Sequence, residues 1–186
     1  MSIHLILGPM FSGKTTRLIQ EYRKRKYIQE TVAVINYAED TRYDFTQLST
    51  HDKVMIPCIQ TLMIREVMNI LETVNTIFIN EGQFFPDLYD TVVELVEKMG
   101  KNVYIYGLDG DFTRSTFGDI YRLIPICDSI VKLSALCSKC RDGTPAIFSH
   151  RITKEQQQVS IGSDNYIPLC RSCYLSFTVK TLFEST

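Results

Sequence analysis

An α/β fold, with a mostly parallel sheet carrying helices on both faces and a small cysteine-bearing lobe at the end, is predicted by three features of this 186-residue sequence. Short apolar runs alternate with stretches of helical spacing through the first two-thirds of the chain. A glycine-bearing turn separates the first apolar run from the first helical stretch. Four of the six cysteines arrive as two close pairs after residue 135.

The first strand is Ile3-His4-Leu5-Ile6-Leu7, and the helix after the turn carries Leu18, Ile19 and Tyr22 on one face. Residues 31–36 (T-V-A-V-I-N) read as a buried strand. Residues 62–71 have helical spacing through Leu62, Ile64, Val67, Met68 and Leu71. A short strand is expected at 76–79. A helix is expected at 87–99, with Leu88, Val92, Leu95, Val96 and Met99 inward and Gly100 as its stop. Further strands are expected at 102–106 and 130–133. Strands that alternate with helices pair in parallel, and both faces of such a sheet are covered. Residues 38–57 form a long polar connection, of the kind that is usually functional or mobile. From about Ala135 helical periodicity stops, so residues 1–134 are expected to form the main α/β domain and residues 135–186 the small lobe.

Composition narrows the function. Lys and Arg total 20 against 21 Asp and Glu, a formal charge of −1, so global charge does not point to nucleic acid or to an anionic membrane. No apolar stretch approaches 18 residues, and an apolar strand begins within two residues of Met1. A cytoplasmic protein with no membrane partner is expected. In a reducing compartment, paired cysteines more often hold metal than form disulfides.

The turn itself is Gly8-Pro9-Met10-Phe11-Ser12-Gly13-Lys14-Thr15, which matches G-x-x-x-x-G-K-[ST] between a strand and a helix. Glycines there let successive N–H groups face phosphate oxygens, and the helix N-terminus adds its positive end. Lys14 reaches the β- and γ-phosphates, and the Thr15 hydroxyl can ligate Mg²⁺. A nucleoside triphosphate is the expected ligand. Ligands of parallel α/β sheets gather at the carboxyl ends of the strands. The phosphate loop falls there, as do Asn80, Glu81, Gly82 and Gln83 and the run from Leu108 to Phe112. An acidic residue after such a strand normally holds the hydration shell of Mg²⁺, and Glu81 can act as a general base if it reaches an acceptor hydroxyl. Phe84 and Phe85 follow, either as core or as walls for a planar substrate.

Cys137-Ser-Lys-Cys140 and Cys170-Arg-Ser-Cys173 are two C-x₂-C knuckles separated by residues 141–169. Two knuckles close a tetrahedral Cys₄ shell around Zn²⁺ with no open position, so a structural ion is expected. Cys58 and Cys127 read as small buried hydrophobes.

Together these pieces resemble the type II thymidine kinases. The resemblance spans nearly the whole chain: L-G-P-M-F-S-G-K-T-T, then A-E-D-T-R-Y from Ala38, E-G-Q-F-F-P-D from Glu81, L-D-G-D-F from Leu108, V-K-L from Val131 and a terminal C-R-S-C-Y. It implies a P-loop (RecA-like) sheet with a zinc lobe and a lasso-like loop. It also implies ATP-dependent transfer of the γ-phosphate to the 5′-hydroxyl of thymidine. On this resemblance Glu81 is the catalytic base, assisted by Lys14 and Arg42. Asp40, Thr41 and Arg42 lie near the phosphates and the 5′ end. Phe112 lies against the thymine, with Met10, Leu108, Phe84 and Phe117 as apolar neighbours. The lasso corresponds to Gln157, Gln158, Val159, Ser160 and Ile161, continuing to Tyr166, and its main-chain groups hydrogen-bond the base. Asn80 would hold Mg²⁺ through water. The resemblance also implies a homotetramer or homodimer and feedback inhibition by thymidine triphosphate. Two positions differ from the family pattern: Asn80 stands where Asp is common, and Ser160-Ile161-Gly162-Ser163 stands where two glycines are usual.

Two rival readings remain at this stage. One is a kinase for another deoxynucleoside. The other is a zinc-bearing P-loop protein that binds nucleic acid directly. Between Cys137 and Cys173 the basic residues Lys139, Arg141, Arg151, Lys154 and Arg171 face Asp142, Glu155 and Asp164. That excess is too small for a reader of phosphate backbones.

Overall fold

The structure, a computed structural model, describes residues 1–38, 47–49, 54–153, 155, 157–159 and 165–183. Its frame is six parallel strands. In chain order they are β1 (Ser2–Leu7), β2 (Val32–Tyr37), β5 (Ile59–Thr61), β6 (Thr76–Ile79), β7 (Asn102–Gly107) and β8 (Ser129–Lys132), and across the sheet they run β5-β2-β6-β7-β1-β8. A short antiparallel ladder of β3 (Gln47–Ser49) and β4 (Met55–Pro57) interrupts the polar connection expected at 38–57.

Strand alternation sorts the apolar side chains onto two faces. On one face Ile3, Leu5, Leu7, Ala33, Ile35, Ile77, Ile79, Val103 and Ile105 pack with Ile64, Leu71, Leu88, Val92 and Leu95. On the other, Ile6, Val34, Phe78 and Tyr106 pack with Leu18 and Ile19 of α1 (Lys14–Tyr27) and with Leu48 and Ile56 of the ladder. Most of these side chains are completely buried, each contributing about 1.5–3 kcal/mol relative to exposure. Covering both faces is what makes the strand sequences continuous apolar runs.

The helices are more broken than the sequence periodicity predicts. Residues 62–71 form a 3₁₀ turn, Ile64–Val67, followed by one α-turn, α2 (Met68–Leu71). The carboxylate of Asp87 accepts from the N–H groups of Ile64 (3.2 Å) and Arg65 (2.8 Å), and so fixes the start of the 3₁₀ turn. The expected helix at 87–99 is α3 (Leu88–Val93), which loosens into a π-turn over Glu94–Lys98 and stops at Gly100 with φ +69°. A 3₁₀ segment, Ile120–Ile126, precedes β8 and contains Pro125.

Beyond β8 come two small ladders, β9 (Ala135–Leu136) with β10 (Pro145–Ala146), and β11 (Phe148–Arg151) with β12 (Tyr166–Leu169). A helix absent from the sequence reading, α4 (Arg171–Phe183), begins inside the second knuckle. Ala135, Cys137, Ala146, Leu169, Cys170 and Tyr174 form their own small core. Cys58 and Cys127 are half-buried against the two faces of the main sheet. No helix among the described residues is long and apolar enough to cross a membrane.

Candidate active site

The phosphate loop leaves β1 between the ends of its two neighbours. The Gly8 N–H donates to the Gly107 carbonyl of β7 (3.3 Å), and the Leu133 N–H after β8 donates to the Leu7 carbonyl (2.7 Å). A side chain at Gly8 would bring its Cβ to 2.7 Å from the Leu133 oxygen and 2.9 Å from the Ser12 hydroxyl, so the position needs glycine for clearance. Lys14 is buried within the loop, its Nζ donating to the carbonyls of Gly8 (3.1 Å) and Pro9 (2.8 Å). Gly13 caps α1, and Thr15 stands in its first turn. The buried Ser12 hydroxyl has no hydrogen-bond partner among the described residues. Met10 ties the loop to the small lobe, its N–H donating to the Ser149 hydroxyl of β11 (2.9 Å).

Two strands away, Glu81 follows the end of β6 with φ +54° and ψ +43°. Phe11 in the phosphate loop also has a positive φ, +64°. Left-handed backbone at non-glycine residues costs about 1–3 kcal/mol each and gathers where a side chain must be aimed. The Glu81 carboxylate accepts from Gln83 Nε2 (2.8 Å), while Gln83 Oε1 accepts from the Leu108 N–H (3.0 Å). Gln83 thus joins the 80–83 turn to the 108–112 run. It is enclosed so tightly that a Cβ on Gly118, whose φ is +57°, would lie 2.1 Å from the Gln83 carbonyl oxygen. Asn80 is buried, and its Nδ2 donates to Asn36 Oδ1 of β2 (2.8 Å).

Beside Gln83, which holds the Glu81 carboxylate, lies a cleft of ≈ 510 Å³, lined by Tyr37, Gln83, Phe84, Phe117, Gln158 and Val159 among others. Phe84 stacks on Tyr37 (centroids 5.2 Å apart) and meets Phe117 edge-on (5.3 Å). Phe85 also borders the cleft but is buried in the core beneath it. Phe112 sits beyond, under the Arg151 guanidinium at 3.9 Å, and its carbonyl accepts from the Tyr174 hydroxyl (2.6 Å). Gln158 Nε2 donates to Asp111 Oδ2 (2.8 Å), fastening the 157–159 segment to this run. Burial would raise the Asp111 carboxyl, but hydrogen bonds from Thr113, Gln158 and the Ser115 N–H outweigh that and hold it below the usual range. Asp40, Thr41, Arg42, Ser160 and Ile161 lie outside the described residues.

The four knuckle thiols converge. Their Sγ atoms all lie within 4.8 Å of one another, with Cys140 at 3.8 Å from Cys170 and 3.5 Å from Cys173. A tetrahedron with Zn–S bonds of about 2.3 Å has edges of about 3.8 Å, so the donor set fits zinc in both chemistry and spacing. Burial alone would raise the Cys137 thiol. Backbone N–H groups of Cys170, Cys140 and Lys139 overcome it and bring the thiol down to about 6, toward the thiolate a metal needs.

A thymidine kinase family model matches residues 1–174, from β1 through the phosphate loop, the Glu81 turn and both knuckles. The chain belongs to the thymidine kinase family. Within that family it is 42% identical to the cytosolic thymidine kinase of Bos taurus over 176 residues, covering 92% of this chain and 71% of the bovine one. It is 40% identical to the Homo sapiens cytosolic enzyme over 173 residues, covering 92% and 72%. The thymidine kinase of Vaccinia virus (strain Western Reserve) is 41% identical over 177 residues, covering 93% of this chain and 96% of the viral one.

Several residues of this thymidine kinase family site escape a reading of the sequence. Asn36, Ser149 and Arg151 carry no local motif, and Asp111 and Tyr174, although inside L-D-G-D-F and C-R-S-C-Y, carry no sequence sign of the contacts they make. Only the alternating pattern of β11 could have hinted that Ser149 and Arg151 point inward, whereas Asn36 lies in the continuous buried run of β2.

Proposed function

We propose that this protein phosphorylates thymidine, transferring the γ-phosphoryl group of ATP to the 5′-hydroxyl and yielding thymidine monophosphate. The observation that carries this reading is the shared position of Lys14, Glu81 and the aromatic cleft at the carboxyl end of one parallel sheet, in a chain of the thymidine kinase family. Lys14 lies against the loop that would cradle the phosphates. Glu81 stands where an acceptor hydroxyl would meet them, one carboxylate oxygen held by Gln83. Phosphoryl transfer asks the protein mainly for alignment and charge stabilisation. Arg42, with Asp40 and Thr41, is assigned to the phosphates and the 5′ end. Glu81 takes the proton of the 5′-hydroxyl. Phe112, with Phe84, Phe117, Leu108 and Met10 beside it, walls the base, and the stretch from Gln157 through Ile161 to Tyr166 closes over it. Closure excludes water and so suppresses idle ATP hydrolysis.

Mg²⁺ accompanies ATP in this reading and neutralises charge across its β- and γ-phosphates. The Thr15 hydroxyl would hold it, with Asn80 acting through water. Because Asn80 Nδ2 is committed to Asn36, only its amide oxygen is left to accept from a Mg²⁺-bound water in this reading. Zn²⁺ on Cys137, Cys140, Cys170 and Cys173 serves as a structural tie for the lobe spanning 135–186, beside the nucleotide-binding domain of 1–134. About one zinc per chain is expected for two C-x₂-C knuckles. Its removal by chelator is expected to loosen the lobe before the parallel sheet melts. Metal analysis and hydrogen exchange check both. A cytoplasmic location, assembly as a homodimer or homotetramer and inhibition by thymidine triphosphate complete the reading.

The test is a nucleoside panel. A site that hydrogen-bonds one pyrimidine edge rejects the other, because its own polar groups are left unpaired. Thymidine is therefore expected to exceed deoxycytidine and the purine deoxynucleosides clearly in kcat/KM. Equal efficiency on deoxycytidine would make the protein a broader deoxynucleoside kinase. Absence of phosphorylation together with salt-sensitive DNA binding would favour the nucleic-acid reading.

A further inference from the structure

The chain between β11 and β12 leaves and re-enters the small lobe at a facing pair, Arg151 and Tyr166. The Ile152 N–H donates to the Asn165 carbonyl (2.9 Å) and closes the neck of that connection. Arg151 is only 5% exposed. Its guanidinium donates to the carbonyls of Glu155 (3.1 Å), Gln157 and Gln158 (3.0 Å), and its Nε donates to the Tyr166 hydroxyl (3.1 Å). Its flat face also covers the Phe112 ring at 3.9 Å. One planar group therefore gathers three main-chain carbonyls, a phenol and an aromatic wall. A guanidinium can do this because its donors form a rigid fork and its faces stack, whereas an ammonium offers neither.

We propose that Arg151 is a positioning residue for the nucleoside, holding the Phe112 ring and the carbonyls of Glu155, Gln157 and Gln158 in one fixed relation. This rests on the thymidine kinase reading of the site. Residues 155–159 are polar apart from Val159, so they have no apolar core of their own to order them. Arg151 supplies the order through the carbonyl oxygens of Glu155, Gln157 and Gln158. By covering one face of Phe112, it restricts a planar base to the opposite face. A second tie works in the same direction. Gln158 Nε2 reaches Asp111 Oδ2 (2.8 Å) and the Thr116 carbonyl (3.1 Å), so the segment is fastened on either side of Phe112. The base wall and the start of the loop at Gln157 and Gln158 then meet the substrate as one preorganised surface, so that part of the ordering cost is met before the rest of the loop closes.

Arg151→Lys and Arg151→Gln in the full chain test this, with zinc content and melting temperature measured alongside. Both are expected to raise the KM for thymidine roughly tenfold to a hundredfold, the scale of losing several charge-assisted hydrogen bonds and a stacked cation. The KM for ATP is expected to stay unchanged, and kcat to fall less than the thymidine KM rises. Lysine is expected not to rescue, since it keeps charge without the fork. Amide exchange at 155–159 is expected to quicken in both variants. Unchanged thymidine KM in zinc-replete variants would overturn the proposal. So would a parallel loss of melting temperature and of both affinities, or failure of both variants to fold, each of which makes Arg151 a general structural residue. Native protein that does not phosphorylate thymidine would refute the kinase reading instead, and that outcome is read before any variant is made.

Discussion

Lys14→Ala is expected to abolish measurable phosphoryl transfer while leaving the fold in place. The ammonium is buried in the phosphate loop, held between the Gly8 and Pro9 carbonyls at 3.1 and 2.8 Å. It is therefore held within the loop, where it can exchange these carbonyls for phosphate oxygens. Losing one preorganised electrostatic contact costs about 10²–10³-fold in kcat, and a full positive charge on a transferring phosphoryl group lies at or beyond the upper end. The loop contributes little to either apolar core, so the melting temperature is expected to move only slightly. Steady-state kinetics and a thermal melt check both halves. Near-normal turnover would remove the loop's assigned role.

Glu81→Gln is expected to lower kcat by about 10²–10⁴-fold, the usual contribution of a general base, with ATP affinity kept. Glutamine preserves the shape of the side chain, so the left-handed backbone at φ +54° is no more strained than before. Its amide oxygen can still accept from Gln83 Nε2. What is removed is the capacity to take a proton. A variant that raised only the KM for thymidine would make Glu81 a binding group.

The parts of this molecule that were legible in sequence share a physical cause. Strands buried on both faces must be apolar throughout, so 31–36, 76–79 and 102–106 announced themselves and the structure moved their ends by a residue at most. The phosphate loop was legible because backbone clearance and a lysine are needed at fixed spacing. The knuckles were legible because two thiols must reach one point. Helix 62–71 misled, since its apolar spacing persists while the Asp87 carboxylate imposes a 3₁₀ start. Helix α4 is not legible in sequence, because its Ser, Thr, Phe, Tyr and Cys residues favour helix weakly. Packing of Cys170 and Tyr174 into the small core accompanies it instead. In sequence Arg151 reads only as a charge. Its partners Phe112 and Tyr166 are distant in sequence, and no short window holds them together.

The sheet order carries a consequence for how the chain is made. β1 is the first strand synthesised, yet its two neighbours are β7 and β8, with Ser2 paired to Asn102 and His4 to Ser129. At about 5–20 residues per second of translation, the first strand waits roughly 5–20 seconds for β7, with both edges open. Meanwhile β2 and β6 can already pair beside it in the emerging chain. The Gly8 N–H finds its carbonyl only at Gly107, and the glycine's crowded neighbour is Leu133. The nucleotide site is thus written first and assembled last, and a chain interrupted before residue 102 carries the whole phosphate-loop sequence without the strands that shape it.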